Sequence, residues 1–231
     1  MFVRLTLFVS APYATVMAWE VFTEKAQEYD NWFDRHFGAG AFALELKSIK
    51  NILKKIPDDS LEIGVGTGRF AHSLGIRFGI DPSPAVLEYA KKRGIRAARA
   101  VAESLPFPAF SFSAVFMIVT VCFLDNPLQA FAEANRVLKP DGMLVLGLIM
   151  RDSRWGEFYE RKKASGNAFY KHAHFWGKDE LFNALDKTGF KVTDSVSTLF
   201  DPPGSLMIIN QKIQTGIHPE AGFHSIVARK V

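Results

Sequence analysis

The stretch Leu61-Glu62-Ile63-Gly64-Val65-Gly66-Thr67-Gly68-Arg69-Phe70 carries the strongest chemical signal in the chain. Glycine lets a backbone turn sharply and approach a ligand with no Cβ in the way. The N–H groups that open the following helix can then face a negative group. Dinucleotide-binding proteins share such a turn, but the third glycine of G-x-G-x-x-G would fall on Arg69. The pattern present is G-x-G-x-G, preceded by the acid Glu62. A second concentration lies in Arg151–Trp176, with Trp155, Phe158, Tyr159, Phe169, Tyr170, Phe175 and Trp176. Aromatic faces can pack on an apolar molecule or stabilise a cation; equally, they can simply cover a sheet. His172, His174 and Tyr170 are the candidates for proton transfer there. The pair His172 and His174 has no cysteine or third ligand nearby, so no metal is expected. The single cysteine, Cys122, sits in the apolar run Ala114–Leu124 and reads as a buried structural thiol.

The glycine turn resembles the first motif of class I S-adenosylmethionine-dependent methyltransferases, and further segments extend the resemblance. Gly79-Ile80-Asp81-Pro82-Ser83 puts a carboxylate at the C-terminal edge of the next strand, where the family binds ribose hydroxyls. Ala102-Glu103-Ser104-Leu105-Pro106-Phe107 resembles the family's segment along the adenine ring, with Glu103 at a position usually held by aspartate. Ser111-Phe112-Ser113-Ala114-Val115 is similar to S-F-D-x-V, with Ser113 for the aspartate. Asn135–Gly142 is similar to R-V-L-K-P-G-G, with Asp141 for its first glycine. The subgroup resembled is the small-molecule enzymes related to ubiquinone and menaquinone biosynthesis, a methyltransferase type 11 domain. Its cap helix is matched by Ala26-Gln27-Glu28-Tyr29-Asp30, so Tyr29 reaches the methionine end of the cofactor or is a core tyrosine.

The resemblance implies S-adenosyl-L-methionine as cofactor, held by Glu62, Gly64, Val65, Gly66, Gly68, Asp81, Pro82, Ser83, Ala102, Glu103, Ser104, Val119 and Tyr29. It implies in-line methyl transfer to a small molecule, with orientation supplying roughly 7–11 kcal/mol and the cofactor supplying the reactive methyl. Three rivals remain: an RNA or protein methyltransferase, a nicotinamide-dependent oxidoreductase, and a non-catalytic cofactor-binding module.

Elements that could position these residues follow from periodicity. Trp19–Phe37 reads as one helix, and Phe42, Leu46, Ile49, Leu53 and Ile56 mark a second on a period of 3.6. Apolar strands are expected at Ser60–Gly64, Ile76–Ile80, Ile95–Ala100, Ala114–Val119 and Met143–Ile149, with helices Arg69–Leu74, Pro84–Arg93 and Pro127–Leu138 between. Ser83-Pro84 suits a hydroxyl N-cap followed by proline, and Pro140-Asp141-Gly142 reads as a turn into the next strand. After Lys178–Lys187, a helix, come strands Phe190–Phe200 and Phe223–Val231. This is an α/β, Rossmann-like, doubly wound sheet of seven strands, mostly parallel with one antiparallel strand near the C-terminus.

One domain over residues 19–231 is expected: cap helices 19–56, cofactor-binding core 60–149, substrate-side insertion 151–176, and a final helix and strands 177–231. Residues 1–18 weakly resemble a secretory signal but are too broken by Ser10, Pro12 and Tyr13 to span a membrane. They read as poorly ordered, or as preceding a true start at Met17. A net charge of +4 is too small to argue for nucleic acid, and Lys91–Arg93 and Arg161–Lys163 read as solvated helix faces. A lone cysteine fits a cytoplasmic protein. The expected partners are a small-molecule acceptor and, if any, a second copy of the chain.

Overall fold

The computed structural model describes residues 17–231, so the expectations for residues 1–16 lie outside the described residues. Alternation along Phe112–Ile118 (β4) explains why the sheet must be covered twice. Val115 and Met117 point into one apolar layer, and Ala114, Phe116 and Ile118 into the other. The flanking strands are Ser60–Ile63 (β1), Phe78–Asp81 (β2), Arg96–Arg99 (β3), Leu138–Leu148 (β5), Phe190–Thr198 (β6), Gln214–Thr215 (β7) and Phe223–Lys230 (β8). They form one eight-stranded sheet in the order β3-β2-β1-β4-β5-β8-β6-β7. β1 to β5 pair in parallel, while β8 runs antiparallel to both β5 and β6.

Helices Pro127–Val137 (α6) and Lys178–Lys187 (α8) cover one face through Phe131, Leu181 and Leu185. The other face is covered by His36–Ile52 (α3), Arg69–Leu74 (α4) and Pro84–Lys92 (α5), through Leu44, Ile49, Phe70, Leu74 and Leu87. Each fully buried leucine or phenylalanine in these layers contributes about 1.5–3 kcal/mol. Among the described residues, no helix is long and apolar enough to cross a membrane.

The Rossmann-like architecture agrees with expectation, and five details differ. An eighth strand, β7, pairs with β6 through Val196–Thr215 and Ser197–Gln214 and adds a second antiparallel strand. Two residues are too short to leave a periodic signal. The expected Trp19–Phe37 helix is broken into Glu20–Glu24 (α1) and Ala26–Trp32 (α2), because Lys25 leaves helical geometry at φ −118° and ψ 29°. The break lets α1 pack on α5 while α2 lies over the glycine turn. Leu138–Leu148 begins earlier than expected: Asp141 takes φ 60° inside a bulged strand instead of preceding it. The Ser83 hydroxyl does not cap α5; it bonds Thr23 at 2.8 Å and ties α1 to the strand end. Finally, the aromatic stretch after β5 contains the helix Arg154–Ala164 (α7), capped by Ser153.

Candidate active site

Parallel strands deliver their C-terminal ends to one edge, and the glycine turn lies there between β1 and α4. Gly64 and Gly66 both have positive φ, at 69° and 52°. A Cβ at Gly64 would collide with Thr120, whereas one at Gly66 would sit in the opening, 3.4 Å from the Tyr29 ring. Asp81 braces this turn: its Oδ2 accepts from the Gly66 N–H at 3.0 Å and its Oδ1 from the Ser83 N–H at 2.9 Å. Burial to 8 % exposure pushes its carboxyl up to about 6, against the pull of those two N–H donors.

A cleft of about 90 Å³ runs from here between the ends of β1, β2 and β4. Of the residues expected at the cofactor, Tyr29, Gly64, Gly66, Asp81, Pro82, Ala102, Glu103 and Val119 line it. Glu62, Val65, Gly68 and Ser83 lie behind its wall as support, and Ser104 faces solvent. Glu103 Oε1 accepts from the Asn126 N–H at 3.1 Å, which fixes the far wall. Val119 holds φ 52° at the end of β4, a strained value for a β-branched residue. Thr120 supports it, donating to the Ile118 carbonyl at 3.0 Å.

Phe22, Tyr29, Val119, Thr120 and Phe123 also line a second cavity of about 160 Å³. Its remaining wall includes Trp32, Phe33, Glu45, Tyr159, Phe169, Tyr170, Phe175 and Trp176. Tyr159 and Tyr170 pack with ring centroids 4.6 Å apart, and burial pushes both phenols up, Tyr159 to about 12. Trp155 lies beneath, donating from Nε1 to the Asp201 carbonyl at 2.9 Å. His172 and His174 line neither cavity. Both are exposed, and His174 Nε2 lies 2.7 Å from Glu180 Oε1.

Two features escaped sequence reading. Arg69 bonds Asp30 at 2.9 and 3.0 Å and Asp34 at 2.8 and 2.6 Å, and Arg93 bonds Asp30 at 2.9 Å and the Thr67 carbonyl at 2.8 Å. These bonds clamp α2 onto the glycine turn and α5. Burial opposes ionisation of Asp30, but the two guanidiniums outweigh it and hold the carboxyl near 2. Replacing Asp30 by alanine leaves Arg93 without a carboxylate and Arg69 with Asp34 alone, which loosens α2, so affinity for a ligand bound at the turn should fall about tenfold by calorimetry. Unchanged affinity would show that the cap is held by packing alone. The other feature is Glu45, on the face of α3 that carries Phe42 and Ile49 at spacings of three and four, a signal visible in the sequence.

Glu45 and Glu62 give the empty protein a distinct pH response. Burial pushes Glu45 up to about 8 and Glu62 well above the usual carboxylate range. Both bind protons in the fold that the unfolded chain has released above about pH 4.5. Their contribution is complete below that range and is lost as pH rises through the folded values. His224, pushed down to about 4 by burial, acts oppositely but only below about pH 6.5. Between pH 6.5 and 8 stability should therefore fall as pH rises. A calorimetric Tm that holds or rises over this interval would contradict the assignment.

The cleft suits an S-adenosylmethionine nucleoside: a glycine cradle that a side chain would fill, and an acid braced for hydroxyl donors. Glu62 Oε2, from the strand that leads into the turn, is buried without a hydrogen-bond partner. Comparison with known proteins agrees. Residues 61–146 match the methyltransferase domain family. A solved SAM-dependent methyltransferase of Thermotoga maritima, described as a possible histamine N-methyltransferase, is 38% identical. It covers 93% of this chain and 100% of its own, with a TM-score of 0.85. An uncharacterised protein of Methanocaldococcus jannaschii is 39% identical over 212 residues, 91% of this chain and 99% of its own. Demethylmenaquinone methyltransferase of Tropheryma whipplei is 34% identical over 97 residues, 38% of this chain and 41% of its own. The chain therefore belongs to the S-adenosylmethionine-dependent methyltransferases, a conclusion that sets aside the nicotinamide and non-catalytic readings.

Proposed function

We propose that the chain methylates a small molecule held in the aromatic cavity. The observation that carries this is the shared wall: Phe22, Tyr29, Val119, Thr120 and Phe123 border both the donor cleft and the cavity. A molecule in the cavity thus meets the donor's methyl end without crossing solvent. In this reading Asp81, with Pro82 and Ser83 beside it, holds the ribose, and Ala102 and Glu103 follow the adenine. Gly64, Val65, Gly66 and Gly68 shape the turn around the methionine portion, with Glu62 on the strand leading into it and Tyr29 and Val119 at the methyl. The cofactor supplies an activated methyl group; the protein's part is alignment and exclusion of water. An enclosed aromatic cavity suits a small acceptor better than a polymer, in keeping with the histamine named for the Thermotoga relative. The lone cysteine favours action in the cytoplasm.

The test is incubation with methyl-labelled S-adenosylmethionine and, separately, a metabolite extract, histamine, total RNA and total protein. Label should enter the metabolite or histamine samples. Label confined to RNA or protein would overturn the small-acceptor reading.

A further inference from the structure

The aromatic cavity has one wall residue that an apolar acceptor does not need. Glu45 is 7 % exposed, projects from α3, and shares the cavity with Tyr29, Phe33, Tyr159 and Tyr170. It forms no ion pair with any described residue. The neighbouring Ser48 hydroxyl is turned elsewhere, to the Glu45 backbone carbonyl and to Ser225 Oγ, both at 2.7 Å. A buried carboxylate without a counter-charge is costly, and aromatic faces around an acid form a setting that favours a cation. We propose that the acceptor is an amine, and that Glu45 anchors its nitrogen with loss of the ammonium's proton. This rests on the methyl-transfer reading above and deepens it.

The proton balance follows from the surroundings. Desolvation alone lifts Glu45 to about 8, so the empty cavity holds mostly the neutral acid at pH 7. An ammonium entering from water must therefore displace one proton. The proton comes from Glu45 if an ion pair forms, or from the ammonium if acid and neutral amine form; one leaves either way. Low dielectric favours the neutral pair, which frees the nitrogen lone pair. That lone pair then bonds to the methyl carbon while the carbon–sulfur bond breaks and its electrons stay on sulfur. The products are an N-methylammonium and S-adenosylhomocysteine, and the protonated acid keeps its proton.

Other groups facing Glu45 do not compete for this proton near neutrality. Tyr29 from α2 and Tyr159 from α7 feel its charge, and burial raises both phenols. Tyr170 and Cys122 are raised likewise, the thiol to about 12. Among the elements packed on α3, β8 brings Ser225 and a His224 pushed down to about 4, and β6 and α4 form no ion pair with Glu45. Arg35 and Glu28 also line the cavity and are exposed, without an ion pair to Glu45.

Calorimetry on protein loaded with S-adenosylhomocysteine tests this, with 2-phenylethylamine and tryptamine against the uncharged 2-phenylethanol. Repeating at pH 7 in buffers of different ionisation enthalpy counts the protons. The amines should bind with release of about one proton, and Glu45→Gln should weaken them at least tenfold and abolish the release. The same variant should bind S-adenosylhomocysteine and 2-phenylethanol within twofold of wild type, which shows that it is folded. Absence of amine binding, equal binding of alcohol and amine, or an unaffected Glu45→Gln would overturn the proposal. Failure to bind S-adenosylhomocysteine at all would instead strike the methyl-transfer reading beneath it.

Discussion

Replacing Gly66 by valine should lower S-adenosylmethionine affinity more than a hundredfold, or about 3 kcal/mol, while leaving a folded protein. Three effects act together. The residue sits at φ 52°, where a Cβ costs roughly 1–2 kcal/mol and a branched one more. The new side chain would begin 3.4 Å from the Tyr29 ring and extend into the cleft. Relieving either problem moves the Gly66 N–H, which holds Asp81 Oδ2 at 3.0 Å. Gly66→Ala meets the backbone cost with less intrusion and should fall between wild type and valine. Calorimetry with thermal unfolding as the folding control separates these cases. A folded valine variant with normal affinity would show that the turn faces away from the donor.

Asp81→Ala should weaken the donor by roughly 1.5–3 kcal/mol, the usual range for hydrogen bonds to a charged group. Each Asp81 oxygen already accepts one backbone N–H, yet each keeps acceptor capacity for a ribose hydroxyl. The same geometry fixes the pH dependence. Hydroxyl donors favour the ionised carboxylate, and burial places its titration near 6 in the empty protein. Affinity should therefore be highest above that value and decline as pH drops below it. In Asp81→Ala this decline should disappear. A wild-type affinity independent of pH from 5 to 7.5 would mean that Asp81 does not meet the ligand.

What could be read from the sequence was what is local. Glycines, an acid at a strand end and a proline after a serine are all set within a few residues. The structure brings the first two together: Gly64, Gly66 and Asp81 line one cleft. Proline at the start of α5 was legible as well, but not that the Ser83 hydroxyl would turn to Thr23, sixty positions away. The Asp30–Arg69–Arg93 clamp joins residues 39 and 63 apart, so only the folded chain brings it together. Arg69 was legible only as a missing glycine; the structure gives it the task of holding α2 down. The aromatic stretch after β5 fitted a pocket wall or a cover for the sheet, without saying which rings face a cavity. Helix α7 settles that, turning Tyr159 inward and sending Trp155 to Asp201.

In the proposed function, one cleft takes the donor with its methyl end toward the aromatic cavity. A crystal structure of the complex with S-adenosylhomocysteine tests this most directly. The predicted result has ribose hydroxyls within 3 Å or so of Asp81, adenine beside Ala102 and Glu103, and sulfur next to Tyr29 and Val119. A nucleoside bound elsewhere, or one in this cleft with its sulfur pointing away from Tyr29, would contradict it.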